Sequence, residues 1–102
     1  MAQLLIMYNR PQDLEAFEQY YFGTHVPIFA KAPGIESVVF SRSPVTTVVA
    51  GASEVYLVAE VTFASMDALE TALASEAGQA AVADLPNFAA AGVTILAFET
   101  RT

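Results

Sequence analysis

One histidine, His25, and no cysteine occur in the chain. An imidazole ordinarily gains or loses a proton near neutral pH, so His25 is the side chain best suited to general acid or base work. Phe17, Tyr21 and His25 are spaced four apart. On a helix that persists that far they share a face, which sets the imidazole beside an aromatic wall. The competing reading has His25 cap the helix by donating to a terminal carbonyl. Tyr20 and Tyr21 are adjacent and project about 100° apart on a helix, so at most one lines a pocket well. Tyr21 is assigned there because it would stack on His25. Tyr20 is expected on the core rim with its hydroxyl wet. Asp84 closes a predicted helix, where a carboxylate meets the negative end of the helix dipole. It is either solvated or partnered, and a carboxylate–imidazole bond that orients His25 is the candidate partnership. Tyr8 and Tyr56 lie on predicted strands and offer phenol donors or core packing. Glu60 lies mid-strand among apolar neighbours, and a buried Glu must be paired or protonated. It could serve in the pocket or across a subunit interface, where Arg42 or Arg101 could pair with it.

Other chemistries lack their residues. There is no Gly-rich phosphate loop and no Ser/His/Asp arrangement. One His with isolated carboxylates is too few for a metal site. His25 alone could ligate a haem, but no other residue argues for one, and no cofactor is expected. Eleven acidic residues against four basic ones give a net charge of −7. The cations (Arg10, Lys31, Arg42 and Arg101) are scattered, which excludes the cationic stripe that nucleic acid requires and argues against an anionic membrane surface. The apolar runs fall short of the ~20 residues of a membrane span. No basic n-region with a following apolar segment opens the chain, so a cytoplasmic location is expected.

The elements that must position these residues follow from periodicity. One domain is expected over residues 1–102. Gln3–Tyr8 reads as a strand, broken at Asn9-Arg10-Pro11. Asp13 is the expected N-cap of an amphipathic helix over about 14–24. Pro27 is expected to end that helix and to open a short second piece through Lys31. Pro33-Gly34 is a turn, Ile35–Ser43 a strand, and Pro44–Ser53 a mobile loop of small residues. Glu54–Ala64 alternates as a strand, with Val55, Leu57, Ala59, Val61 and Phe63 on one side. Ser65 caps a helix over Met66–Ala74, and Ser75 caps another that reaches Asp84. Leu85-Pro86-Asn87 stops it, and Gly92 precedes a last strand, Val93–Thr100.

The order βαββαβ predicts an α+β, ferredoxin-like fold: a four-stranded antiparallel sheet with both helices on one face. Both faces of the first and third strands are apolar, so the sheet needs two covers and the helices supply one. With 55% hydrophobic residues and a mean hydropathy of +0.47, the expected second cover is another copy of the chain, giving a homodimer.

The run Tyr8-Asn9-Arg10-Pro11, then Phe17-x-x-Tyr20-Tyr21-x-x-Thr24-His25-Val26-Pro27, then Pro33-Gly34, resembles the EthD family. So do Ala59-Glu60-Val61-Thr62-Phe63, Ser65-Met66-x-Ala68-Leu69 and Ala83-Asp84-Leu85-Pro86-Asn87-Phe88. The resemblance covers nearly the whole chain, and Val45–Ser53 matches none of it. It implies a dimeric α+β barrel and a bacterial protein associated with degradation of ethyl tert-butyl ether. Structural relatives of that family include cofactor-free monooxygenases, polyketide cyclases, muconolactone isomerases and haem-degrading enzymes. The expected site is then His25, Tyr21 and Asp84 as catalytic groups, with Phe17, Tyr8, Tyr56, Glu60 and Phe88 against the substrate. The expected function is cofactor-free acid/base chemistry on an apolar or aromatic small molecule, of isomerase, cyclase or monooxygenase type. The alternative is a non-catalytic binding or accessory protein of a catabolic system.

Overall fold

The computed structural model describes residues 1–42, 44–49 and 54–101. Along the chain these form β1 (Ala2–Asn9), α1 (Leu14–Tyr20), a π-turn (Tyr21–His25), α2 (Val26–Phe29), β2 (Ile35–Phe40) and β3 (Val55–Phe63). α3 (Met66–Ala74), α4 (Glu76–Asp84), a 3-10 turn (Leu85–Asn87) and β4 (Val93–Glu99) follow. The fold is the α+β, ferredoxin-like one, with strands in the order β2-β3-β1-β4 and every pair antiparallel.

Alternation decides which face is covered. Leu4 pairs with Val61 and Ile6 with Ala59, and all four are buried beneath the helices. Their neighbours Leu5, Met7 and Val58 point the other way and are half-buried. On the same open face Val39 of β2 and Leu96 and Phe98 of β4 are exposed. A strand's side-chain period of two makes this division complete, since one residue of slip would exchange the faces.

The helix starts follow the sequence. Asp13 accepts from the Ala16 N–H at 3.0 Å, and Ser65 accepts from Ala68 at 3.1 Å. Ser75 ends α3 and starts α4: its hydroxyl donates to Ala72 O at 2.6 Å and accepts from the Gly78 N–H at 3.1 Å. Pro27 does not end the first helix, contrary to expectation. Its missing N–H and its ring exclude an ordinary α-turn bond there. The backbone widens by one residue, and Val26 N–H bonds to Tyr21 O, five residues back. The helix thus runs from α1 into α2 without a break. β2 ends at Phe40 rather than Ser43, which lies outside the described residues. Ser41 closes its ladder instead: its N–H donates to Val58 O at 2.8 Å and its Oγ accepts from Val58 N–H at 2.9 Å. The loop expected over 44–53 is described only for 44–49, which form no helix or strand.

α4 approaches α3 through Gly78. A Cβ there would overlap Ala72 O and stand 2.7 Å from Leu73 O, both backbone atoms that cannot swing aside. Gly78→Ala should therefore destabilise the fold by about 1–3 kcal/mol, read as a lower midpoint in urea at unchanged slope. An unchanged midpoint would show that the two helices can separate freely.

Candidate functional site

Four residues along an α-helix overshoot one full turn by about 40°. Phe17, Tyr21 and His25 would therefore drift around a straight helix. The π-turn takes up the drift between Tyr21 and His25. Phe17 stacks on Tyr21 (centroids 5.7 Å apart, planes 8° apart), and Tyr21 stacks on His25 (5.6 Å, 22°). All three rings are buried.

His25 Nδ1 lies 2.9 Å from Asp84 Oδ2. The Tyr20 hydroxyl donates to Asp84 Oδ1 at 2.6 Å, and Asn87 Nδ2 donates to the same oxygen at 2.9 Å. Burial pushes the Asp84 carboxyl up. The bonds from Tyr20, Asn87 and His25 outweigh it and hold the group below the usual carboxylate range. An ionised Asp84 accepts only, so Nδ1 carries the hydrogen of this bond. The second ring nitrogen, Nε2, is left with a lone pair in the neutral imidazole.

His25 lines a cavity of about 220 Å³ between the sheet and the helices. Leu4 and Ile6 of β1 and Ala59 and Val61 of β3 form its floor. Phe40 of β2 and Ile95 of β4 flank it, and Val26 and Phe29 of α2 roof it together with Gly78 and Ala81 of α4. Val82 and Ile95, both part-exposed, stand at its rim. Tyr8 and Tyr21 are the other polar residues in the lining among the described residues, with ring centroids 5.0 Å apart. Burial pushes the Tyr21 phenol up to about 12, although the interaction with Tyr8 pulls it back. The Tyr8 phenol is raised further, again mainly by burial and then by Tyr21. Both hydroxyls are therefore protonated at neutral pH; the Tyr8 hydroxyl donates to Tyr21, which leaves the Tyr21 proton to donate to a ligand oxygen.

The structure brings His25, Tyr21, Asp84 and Tyr8 together. It places the other sequence candidates elsewhere. Phe17 and Phe88 stand outside the cavity wall, although Phe88 packs on the imidazole with centroids 4.5 Å apart. Tyr56 is the extra residue of a bulge, since Tyr8 pairs with Leu57 and Asn9 with Val55. A bulge re-aims a side chain, and Tyr56 donates to Glu18 Oε2 at 2.7 Å on α1, away from the cavity. Glu60 is exposed on the open sheet face, because it pairs with Leu5 and Val39 in the outward register. Tyr20 is half-buried, and its hydroxyl donates to Asp84, a partner the sequence reading did not give it. Asn87 was missed altogether, although Asp84 and Asn87 stand three apart at a helix end, close enough to meet.

Among the described residues no group of three or more His, Cys, Asp or Glu is placed to hold a metal ion, and no helix is long and apolar enough to cross a membrane.

The sequence matches the EthD domain over residues 9–92. It is 33% identical over 102 residues to an uncharacterized 11.0 kDa protein of Rhodococcus erythropolis encoded in the thcB–thcC intergenic region, covering 100% of this chain and 97% of that protein. The fold superposes on the crystal structure of an ethyl tert-butyl ether degradation (EthD) family protein from Bacillus halodurans, with TM-score 0.86, 30% identity and 99% of each chain covered. It also resembles SnoaB, a cofactor-independent oxygenase from Streptomyces nogalater, with TM-score 0.66, 16% identity, and 99% of this chain and 93% of that one covered. That last likeness is one of fold. With its sequence matched over most of its length and its structure over all of it, the chain belongs to the EthD family.

Proposed function

We propose that the chain binds an apolar small molecule between sheet and helices and moves a proton on it, with His25 Nε2 as general base. The observation that carries this is the 2.9 Å bond from His25 to Asp84 beside an otherwise apolar cavity. The bond fixes the tautomer and steadies the imidazolium that forms on proton uptake. A proton taken from carbon next to a carbonyl leaves an enolate. The Tyr21 hydroxyl is the donor for its oxygen, steadied by the bond it accepts from Tyr8. This chemistry draws on the chain's own residues and fits a cofactor-free isomerase, cyclase or oxygenase acting on a carbanion. A binding protein without turnover is the second reading, supported by the scarcity of polar groups in the lining. A place in ether catabolism rests on the family name.

The proposal includes a homodimer closed through the open sheet face. The single chain exposes 6428 Å², where a monomer of this mass ordinarily exposes about 5,500 Å². Leu5, Met7, Val39, Val58, Leu96 and Phe98 supply an apolar surface there that water covers poorly.

Proton transfer can be tested without the natural substrate. In D₂O the chain should exchange deuterium into the methyl group of acetophenone, followed by NMR. His25→Ala and His25→Gln should each slow exchange by about 10²–10⁴-fold. Full exchange in the Gln variant would remove the base, since an amide does not shuttle protons near neutral pH. Stabilisation by ligand without exchange in the native chain would favour the binding protein.

The Asp84 carboxyl is depressed in the fold. Its stabilising contribution is therefore present above the carboxyl's unfolded value and is lost as pH falls through the folded one. Asp84→Asn should lower the melting temperature at pH 7 and leave a flatter decline on acidification below about pH 4. An acid limb parallel to that of the native chain would mean that Asp84 does not carry this charge.

Sedimentation equilibrium at micromolar concentration should give twice the chain mass. Val58→Asp should dissociate and unfold the assembly together. A stable, folded native monomer would sink the dimer.

A further inference from the structure

We infer that the cavity takes an uncharged single-ring compound carrying one oxygen function, a carbonyl or hydroxyl, anchored at the Tyr8–Tyr21–His25 end, and that it turns carboxylates away. This rests on the cavity being the binding site.

Three observations carry it. The first is the placement of the polar groups. Of the described lining side chains only Tyr8, Tyr21 and His25 bear polar atoms, and their rings are in contiguous contact, Tyr8 meeting Tyr21 edge-on and Tyr21 stacking on His25. The remaining wall is Leu, Ile, Val, Phe, Ala and Gly. A ligand with polar groups at both ends would leave one of them desolvated and unpartnered. The second is charge. None of the chain's four cations lines the cavity. Arg10 lies over the Tyr56 ring, 6.0 Å from its centroid, on the far side of the aromatic cluster, and Lys31, Arg42 and Arg101 are exposed. Behind the imidazole stands Asp84, kept as an anion by Tyr20 and Asn87. Even a protonated His25 is already balanced by that carboxylate. An incoming anion would meet a buried negative charge and no counter-ion. The third is size. A cavity of ~150 Å³ holds benzene, so about 220 Å³ admits one ring with a short substituent and excludes fused ring systems unless the roof moves.

The test compares three ligands of nearly equal size by isothermal titration of the full chain at pH 8: acetophenone, ethylbenzene and benzoate. Acetophenone should bind on the order of 10-fold tighter than ethylbenzene, which lacks the oxygen, and on the order of 100-fold tighter than benzoate. Tyr21→Phe should erase the advantage of acetophenone and leave ethylbenzene binding unchanged, which also reports that the variant is folded. Ala81→Leu, which fills the cavity, should abolish binding of both neutral ligands. Benzoate binding as tightly as acetophenone would overturn the inference. So would ethylbenzene matching acetophenone, neutral-ligand binding that survives Ala81→Leu, or no binding of acetophenone. Acetophenone that binds as expected but exchanges no deuterium would sink the proton-transfer reading alone and leave the ligand class standing.

Discussion

The Asp84 carboxylate joins the two halves of the chain. Its donors Tyr20 and His25 lie 64 and 59 residues away in sequence, on the first helical arm, while Asn87 lies 3 residues beyond it. A carboxylate buried at a helix C-terminus is disfavoured twice, by desolvation and by the helix dipole. Three donors reverse that balance, so the carboxylate stays ionised while it is buried. The arm carries Tyr21, Val26 and Phe29 as well as His25. The bond that orients the imidazole therefore also sets the height of the roof over the cavity. Removing any one donor would loosen both at once, since the remaining groups share one oxygen pair.

Interiors ordinarily close such spaces, because packed side chains leave few voids larger than a water molecule. Here small residues stand where bulk would fill the gap: Ala59 on the floor, Gly78 and Ala81 in the roof. Gly78 has a second reason to be small, the backbone of α3 pressing on its Cα. The close approach of the two helices and the open volume beneath them thus depend on the same residue.

The fold was legible because its signals are local. Period-two alternation in β1 and β3, and the caps at Asp13, Ser65 and Ser75, each act within a few residues, and the structure contains them all. The His25–Tyr21 stack was legible in its spacing, but its geometry was not. Four-residue spacing on a regular helix does not keep rings parallel, and the π-turn that does so arises from Pro27, whose effect reads in sequence as a stop. Tyr56 was misplaced because a bulge leaves no mark in alternating residues. For Glu60 two places stayed open, the pocket or a subunit interface, because the face it occupies is set by the pairing of three strands, and that pairing puts it outside the cavity. Tyr20 and Asn87 were hidden for a related reason: their partner lies in the other half of the chain, and no period within a single segment points to it.

The π-turn has a consequence for how this family can change. A backbone that holds one residue beyond the α-helical count is sensitive to insertion and deletion in a way that substitution does not reveal. The segment Phe22-Gly23-Thr24 contains Gly23, beside which a Cβ would meet nothing within 4 Å. That position can accept a side chain. Losing one residue from it would rewind the turn to α geometry and swing everything downstream by about 100° relative to Tyr21. The imidazole would leave the cavity while the composition of the helix stayed almost the same. The position of the base is set by the number of residues in that turn more than by their kind.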